Sequence, residues 1–126
     1  MSVEAFRAAV EAYDLDAMMD VFAEDVKFHS PIVYKTYEGK EELRFVLAGV
    51  MQVFEDLAYV WEYRSDTGGV LHFRARIGDR EIDGIDMLEF AADGLCNEFT
   101  VMVRPYSSAT LLRERMAALL QAATES

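Results

Sequence analysis

The sequence has a single cysteine, Cys96, which excludes an internal disulfide and a cysteine-based metal cluster. One lone thiol fits a reducing compartment, so a cytoplasmic location is expected. Prolines are also scarce. Pro31 and Pro105 are the only two, and no proline- or glycine-rich stretch reads as a linker. One domain over residues 1–126 is therefore expected. His29 and His72 are the only histidines, and no H-x-x-H or E-x-x-H spacing is present, so no metal site is expected. G-x-G-x-x-G and phosphate loops are missing as well, and no cofactor is expected. Lysine and arginine number 12 against 23 acids, for a net charge of -11. So acidic a chain repels phosphate backbones and anionic lipid, which argues against nucleic acid and membrane as partners. The start of the chain lacks a basic stretch leading into an apolar core, so no signal peptide is expected. No apolar run reaches membrane-spanning length.

Apolar residues make up 52% of the chain, enough for a packed core rather than disorder. Residues 3 to 12 place Phe6, Val10 and Tyr13 at helical spacing. "DLDAMMDVFAED" predicts a second short helix, with Asp14 as N-cap and Leu15, Met18, Met19 and Phe22 as its buried stripe. "VKFHSP" predicts a short strand ended by Pro31. "EGKEELRFVLAGVMQVFEDL" predicts a third helix with Leu43, Val46, Leu47, Val50, Met51 and Phe54 on one face. The period then changes to two. Four alternating segments, separated by "DTGG", "GD" and "AADG", predict an antiparallel meander. "SSATLLRERMAALLQAA" returns to helical spacing, with Ser107 or Ser108 as a possible cap. Helices segregated from an antiparallel sheet mean an α+β fold. A strongly curved sheet closed over by helices would enclose a pocket.

The stretch "REIDGIDMLEF" holds two aspartates at odd separation, so a strand points them to opposite faces. Ile82, Gly84, Asp86, Leu88 and Phe90 form the more apolar face, which places Asp86 inside and Asp83 outside. Leu71, Phe73, Ala75 and Ile77 face the same way, opposite His72, Arg74 and Arg76. Phe99, Val101 and Val103 do so in the last strand. The outer face then mixes complementary charges with Ile85 and Met87, a composition suited to a two-fold homodimer. A buried carboxyl is costly unless neutral or paired, and nothing basic shares Asp86's face, so it is the leading pocket acid. Tyr13, Tyr34, Tyr59, Trp61 and Tyr63 are candidate walls with polar tips.

"FAEDVKFHSP", "YEGKEEL" and "DGIDMLEFAADG", in this order, resemble the nuclear transport factor 2-like superfamily, and within it SnoaL-like and ketosteroid-isomerase-like domains. The resemblance covers nearly the whole chain. It implies a cone-like half barrel, closed by the N-terminal helices around a deep apolar pocket and followed by a C-terminal helix. It implies a homodimer through the outer sheet face. By resemblance, Asp86 stands where the steroid isomerases keep a protonated acid that donates to an oxyanion. Their base position holds Ser30, a poor base, and their first-helix tyrosine position holds Phe6. Steroid isomerisation by that arrangement is therefore not expected. The epoxide-hydrolase pattern of two aspartates around an arginine finds Thr100 and Val101 in the last strand but no acid near the expected place, and Arg74 and Arg76 are expected to face outward. For a polyketide-cyclase type, Asp86 is the sole sheet candidate. His29 is a weaker candidate base, since alternation sets it opposite Ser30. The expected pocket wall is Phe6, Ser30, Tyr34, Phe54, Trp61, Phe73, Asp86 and Phe99. The expected function is binding of an apolar small molecule whose carbonyl or hydroxyl meets Asp86. The alternative is a cofactor-independent isomerase or cyclase using Asp86 as acid or base.

Overall fold

The computed structural model describes residues 3–125. Helices α1 (Val3–Glu11) and α2 (Leu15–Met19) lead into strands β1 (Phe22–His29) and β2 (Thr36–Glu38). Helix α3 (Lys40–Val53) follows. The meander β3 (Glu55–Arg64), β4 (Gly68–Ile77), β5 (Arg80–Phe90) and β6 (Cys96–Arg104) then precedes helix α4 (Tyr106–Glu125). The strands form one curved, unclosed sheet in the order β2-β1-β6-β5-β4-β3, with β1 parallel to β6 and the other pairs antiparallel. This is the α+β architecture that the change of period foretells. No described helix is long and apolar enough to cross a membrane.

Val3, Phe6, Ala9 and Val10 form the buried face of α1. The helix ends where Tyr13 turns left-handed, at φ 54°. Its amide bonds to Val10 O, and that of Asp14 reaches back to Ala9 O, which closes the last turn. Tyr13 is consequently 52% exposed and forms no pocket wall. Asp14 then caps α2, accepting from Ala17 N at 3.0 Å.

Three boundaries differ from the sequence reading. The second helix stops at Met19, and Phe22 opens β1 rather than closing a helical stripe. A register shift between Phe22 and Lys27 leaves Glu24 and Asp25 both exposed, which hides the period of two. Strand β2 has three residues, too few for any periodic signal. Finally, α4 begins at Tyr106, and Ser108 lies inside it, buried, donating from Oγ to Glu81 O at 2.6 Å. It pins α4 to the start of β5 instead of capping the helix.

The inner sheet face carries Phe22, Phe28, Leu71, Phe73, Ile82, Leu88 and Phe99, all buried. Phe6 from α1 meets Phe22 and Phe99 edge-on, with ring centroids 5.6 and 5.4 Å apart. Gly84 pairs with Phe73 across the ladder, and a Cβ at Gly84 would stand 2.2 Å from the tip of the Phe73 ring. The ring thus lies over bare backbone, and a glycine is required beneath it. Gly84→Ala is expected to cost about 1–3 kcal/mol through overpacking, read by denaturant unfolding. Unchanged stability would show that Phe73 has room to move.

Candidate functional site

Between the inner sheet face and helices α1, α3 and α4 lies a cavity of about 590 Å³. That volume is within the range of small-molecule sites. Its wall is predominantly apolar, and Asp86 and Tyr59 are its deep polar groups. Asp86 is 7% exposed. Tyr59 donates its phenolic proton to Asp86 Oδ2 at 2.7 Å. Among the described residues no fully buried side-chain polar atom lacks a partner. Among the described residues Asp86 has no hydrogen-bond partner besides Tyr59. Its other oxygen, Oδ1, is therefore open to the cavity.

Burial raises the Asp86 carboxyl from 3.8 to about 7, against a smaller opposing pull from the Tyr59 hydrogen bond. Burial, together with the Asp86 charge, pushes the Tyr59 phenol strongly upward. Tyr59 is thus a fixed donor, and Asp86 is the group that titrates. Behind Tyr59, the Arg7 guanidinium lies over its ring at 5.8 Å and contacts Glu62 Oε1 at 3.4 Å. The protonated Asp86 can donate from Oδ1 to a ligand carbonyl. Ionised, it can accept from a hydroxyl or take a proton from an activated carbon.

Of the residues expected in the wall, Phe6, Ser30, Phe54, Phe73, Asp86 and Phe99 line the cavity. Tyr34 and Trp61 do not. Tyr34 projects from the β1–β2 loop, fully exposed. Trp61 is 60% exposed because β3 carries a bulge: Tyr59 opposes Phe73, but Trp61 opposes His72. The extra residue, Val60, reverses the alternation. Trp61 and Tyr63 therefore share the outer face, and Glu62 turns inward toward Arg7. Tyr59, one wall candidate among five aromatics on sequence grounds, is the partner of Asp86. Its signal was parity with Phe73 across the ladder, which needs the register.

His29 lies on the outer side of β1, near Thr36 Oγ1 at 3.3 Å and Glu98 Oε2 at 3.4 Å, and does not line the cavity. Phe28 and Ser30 flank it on the inner side. Ser30 Oγ accepts from Ile32 N at 3.0 Å and so shapes the turn at Pro31. On the outer face Asp83 gathers Arg74 (3.1 Å), His72 (3.2 Å) and Arg104 (2.9 Å). Partial burial pushes its carboxyl up, but the bonds from His72 and Arg74 outweigh this and hold it below the usual range.

The profile of the SnoaL-like domain family matches residues 3–99. A solved structure described as a steroid delta-isomerase from Pseudomonas aeruginosa is 36% identical, with a TM-score of 0.91, over 96% of this chain and 90% of that one. An uncharacterised protein with a cystatin-like fold from Silicibacter pomeroyi is 29% identical, with a TM-score of 0.89, over 94% of this chain and 84% of that one. An NTF-2 like protein of unknown function from Burkholderia xenovorans, 16% identical over 82% of this chain and 81% of that one with a TM-score of 0.72, shares the fold. No curated protein matches the chain.

A raised carboxyl destabilises the folded state as pH rises. The unfolded Asp86 ionises near 3.8 and the folded one near 7. The stability its neutral form provides is whole below 3.8, is lost between the two values, and stays lost above 7. The loss is on the order of 4 kcal/mol at most. Asn at position 86 can still accept from Tyr59 but does not titrate. Urea unfolding from pH 5 to 8 should therefore show Asp86→Asn gaining on the native chain as pH rises. A constant difference would place Asp86 in a polar or solvated setting.

Proposed function

We propose that this chain, which belongs to the SnoaL-like domain family, binds a mostly apolar small molecule through a carbonyl or hydroxyl held at Asp86. One observation carries this reading: Asp86 Oδ1 is open to the cavity, and among the described residues no protein group bonds to it. A ligand oxygen supplies the missing hydrogen bond, and the apolar wall supplies affinity by burial. The proton of Tyr59 is already directed at Oδ2. A developing enolate would thus find a single donor, which favours binding over turnover.

A second reading rests on the Pseudomonas aeruginosa relative described as a steroid delta-isomerase. Ionised Asp86 would take a proton from the carbon beside a ketone and return it farther along the conjugated system. That chemistry moves a proton and a double bond and needs no cofactor. Ser30 offers no second base for it, since its oxygen already accepts from backbone amides.

Calorimetric titration across pH separates the states of Asp86. A rigid cyclic ketone should bind about tenfold more tightly below pH 7 than above it, as Oδ1 loses the proton it donates. A phenol should show the opposite trend. Asp86→Asn should remove both trends, and Tyr59→Phe should move the midpoint upward, because the Tyr59 bond holds the carboxyl down. Affinities indifferent to pH in the native chain would sink the binding mode. Formation of a conjugated enone from an unconjugated steroid ketone, abolished by Asp86→Asn, would establish the second reading instead.

We also infer that the outer sheet face joins a second copy of the chain. Trp61, His72, Ile85 and Met102 fall in one cross-strand row, and Tyr63, Val70, Met87 and Thr100 in the next. The apolar members of these rows would be covered by a two-fold partner, beside the Asp83 cluster. Sedimentation should give a dimer for the native chain and a monomer for Met102→Glu, with the helical circular dichroism preserved. A native monomer at micromolar concentration would rule this out. The single thiol, Cys96, is fully buried, which suits a reducing cytoplasm.

A further inference from the structure

We propose that Arg7, clamped between Glu62 and Glu11, is a positioning residue of the site: it holds the Tyr59 ring so that the phenol stays on Asp86 Oδ2 and Oδ1 is left to the ligand. The proposal rests on the binding reading above and adds what regulates the acid.

Packing of Phe6 against Phe22 and Phe99 fixes the rotation of α1, and the next side chain, Arg7, reaches β3. Its guanidinium stands over the Tyr59 ring, 5.8 Å from the centroid. Nη1 donates to Glu62 Oε1 at 3.4 Å, and Nε lies 3.6 Å from Glu11 Oε1, one turn along the helix. Glu62 is itself held, because its Oε2 accepts from Arg64. The buried Tyr59 ring also meets Phe73 edge-on, with centroids 6.3 Å apart. A phenyl edge and a clamped cation thus set the ring, and its hydroxyl reaches Asp86 Oδ2 at 2.7 Å.

A bridge between α1 and β3 does not by itself call for this placement. The Arg7 side chain is only half-buried, and ion pairs of this length and exposure add little stability. A cation over an aromatic face is drawn to the electron density of the ring. Burial, Asp86 and Glu11 all push the phenol upward, and Arg7 pulls it the other way. Arg7 therefore makes the phenol a stronger donor, which favours the ionised carboxylate that accepts its bond. It lowers the pH at which Asp86 turns from donor to acceptor without touching it. Across the ladder Asp86 faces Leu71 of β4 and Val101 of β6, which carry no charge. The charged groups that α3 and α4 give to the cavity wall, Glu41, Glu42 and Arg113, are exposed to water. Tyr59 is the route by which a cation acts on the buried acid.

The infrared carbonyl band of the protonated Asp86 carboxyl, assigned by its loss in Asp86→Asn, follows the titration in the protein alone. The native midpoint is expected at about 7. Arg7→Met keeps an apolar stem and removes the cation. It should lower the acid constant of Asp86 about threefold, so that the midpoint moves upward. Arg7→Lys should recover most of that change. In a Tyr59→Phe background Arg7→Met should leave the midpoint in place, because the phenol that carries the effect is gone. A purely structural ion pair predicts lost stability in urea with the native midpoint kept, and that outcome would overturn the proposal. An equal shift with and without the phenol would overturn it too. Should Arg7→Met fail to fold, Glu62→Gln loosens the clamp and should move the midpoint the same way; a midpoint that stays put there counts against Arg7 equally. Adamantanone, a rigid ketone, then tests the binding reading separately. The pH at which its affinity falls should follow the infrared midpoint in each variant. A moved infrared midpoint with no adamantanone bound to any variant would sink the binding reading and keep the hold of Arg7 on the Tyr59–Asp86 pair.

Discussion

A carboxyl group must be desolvated to stand where Asp86 stands, and one hydrogen bond from Tyr59 offsets only part of that cost. The surrounding packing makes this position unavoidable. Gly84 admits the Phe73 ring, the ring seals the sheet at that point, and Asp86 follows two residues along the same face. Tyr59 reaches Asp86 from across β4, and Arg7 closes the far side of the Tyr59 ring. Removal of the phenol, the ring or the glycine would alter the setting of the carboxyl without touching it. The cavity is the space that these groups leave unfilled.

Much of this was legible in the residues. The change from helical to two-residue period separates α from β along the chain. The apolar parity of "IDGIDMLEF" turns Asp86 inward and Asp83 outward, and the same parity in β4 and β6 assigns their inner faces. The cation partners of Asp83 lie on both neighbouring strands, where an outer-face charge would find them. Ser30 points inward and His29 outward by the same alternation.

What was hidden lies at breaks in that alternation. A bulge is a one-residue insertion that no local propensity announces, and in β3 it moves Trp61 from the wall to the outer face. In β1 a register shift sets Glu24 and Asp25 side by side in solvent, so a strand imitates a helix end. Tyr34 depends on a loop whose direction is fixed by Ser30 and Pro31 rather than by any periodic pattern. The family profile ends at residue 99, so the wall supplied by α4 lies outside what it describes.

β3 is an outer strand of the sheet, with β4 on one side and, among the described residues, no strand on the other. A regular strand in that position would offer a ladder of free amides and carbonyls to any other unpaired strand. Two register shifts, a left-handed Asp56 and the charges of Glu55, Glu62 and Arg64 interrupt that ladder. The irregularity that sorts tyrosine from tryptophan at the pocket also protects the sheet against growth by edge-to-edge addition. Restoring regularity by deleting Val60 would therefore endanger solubility as well as the site.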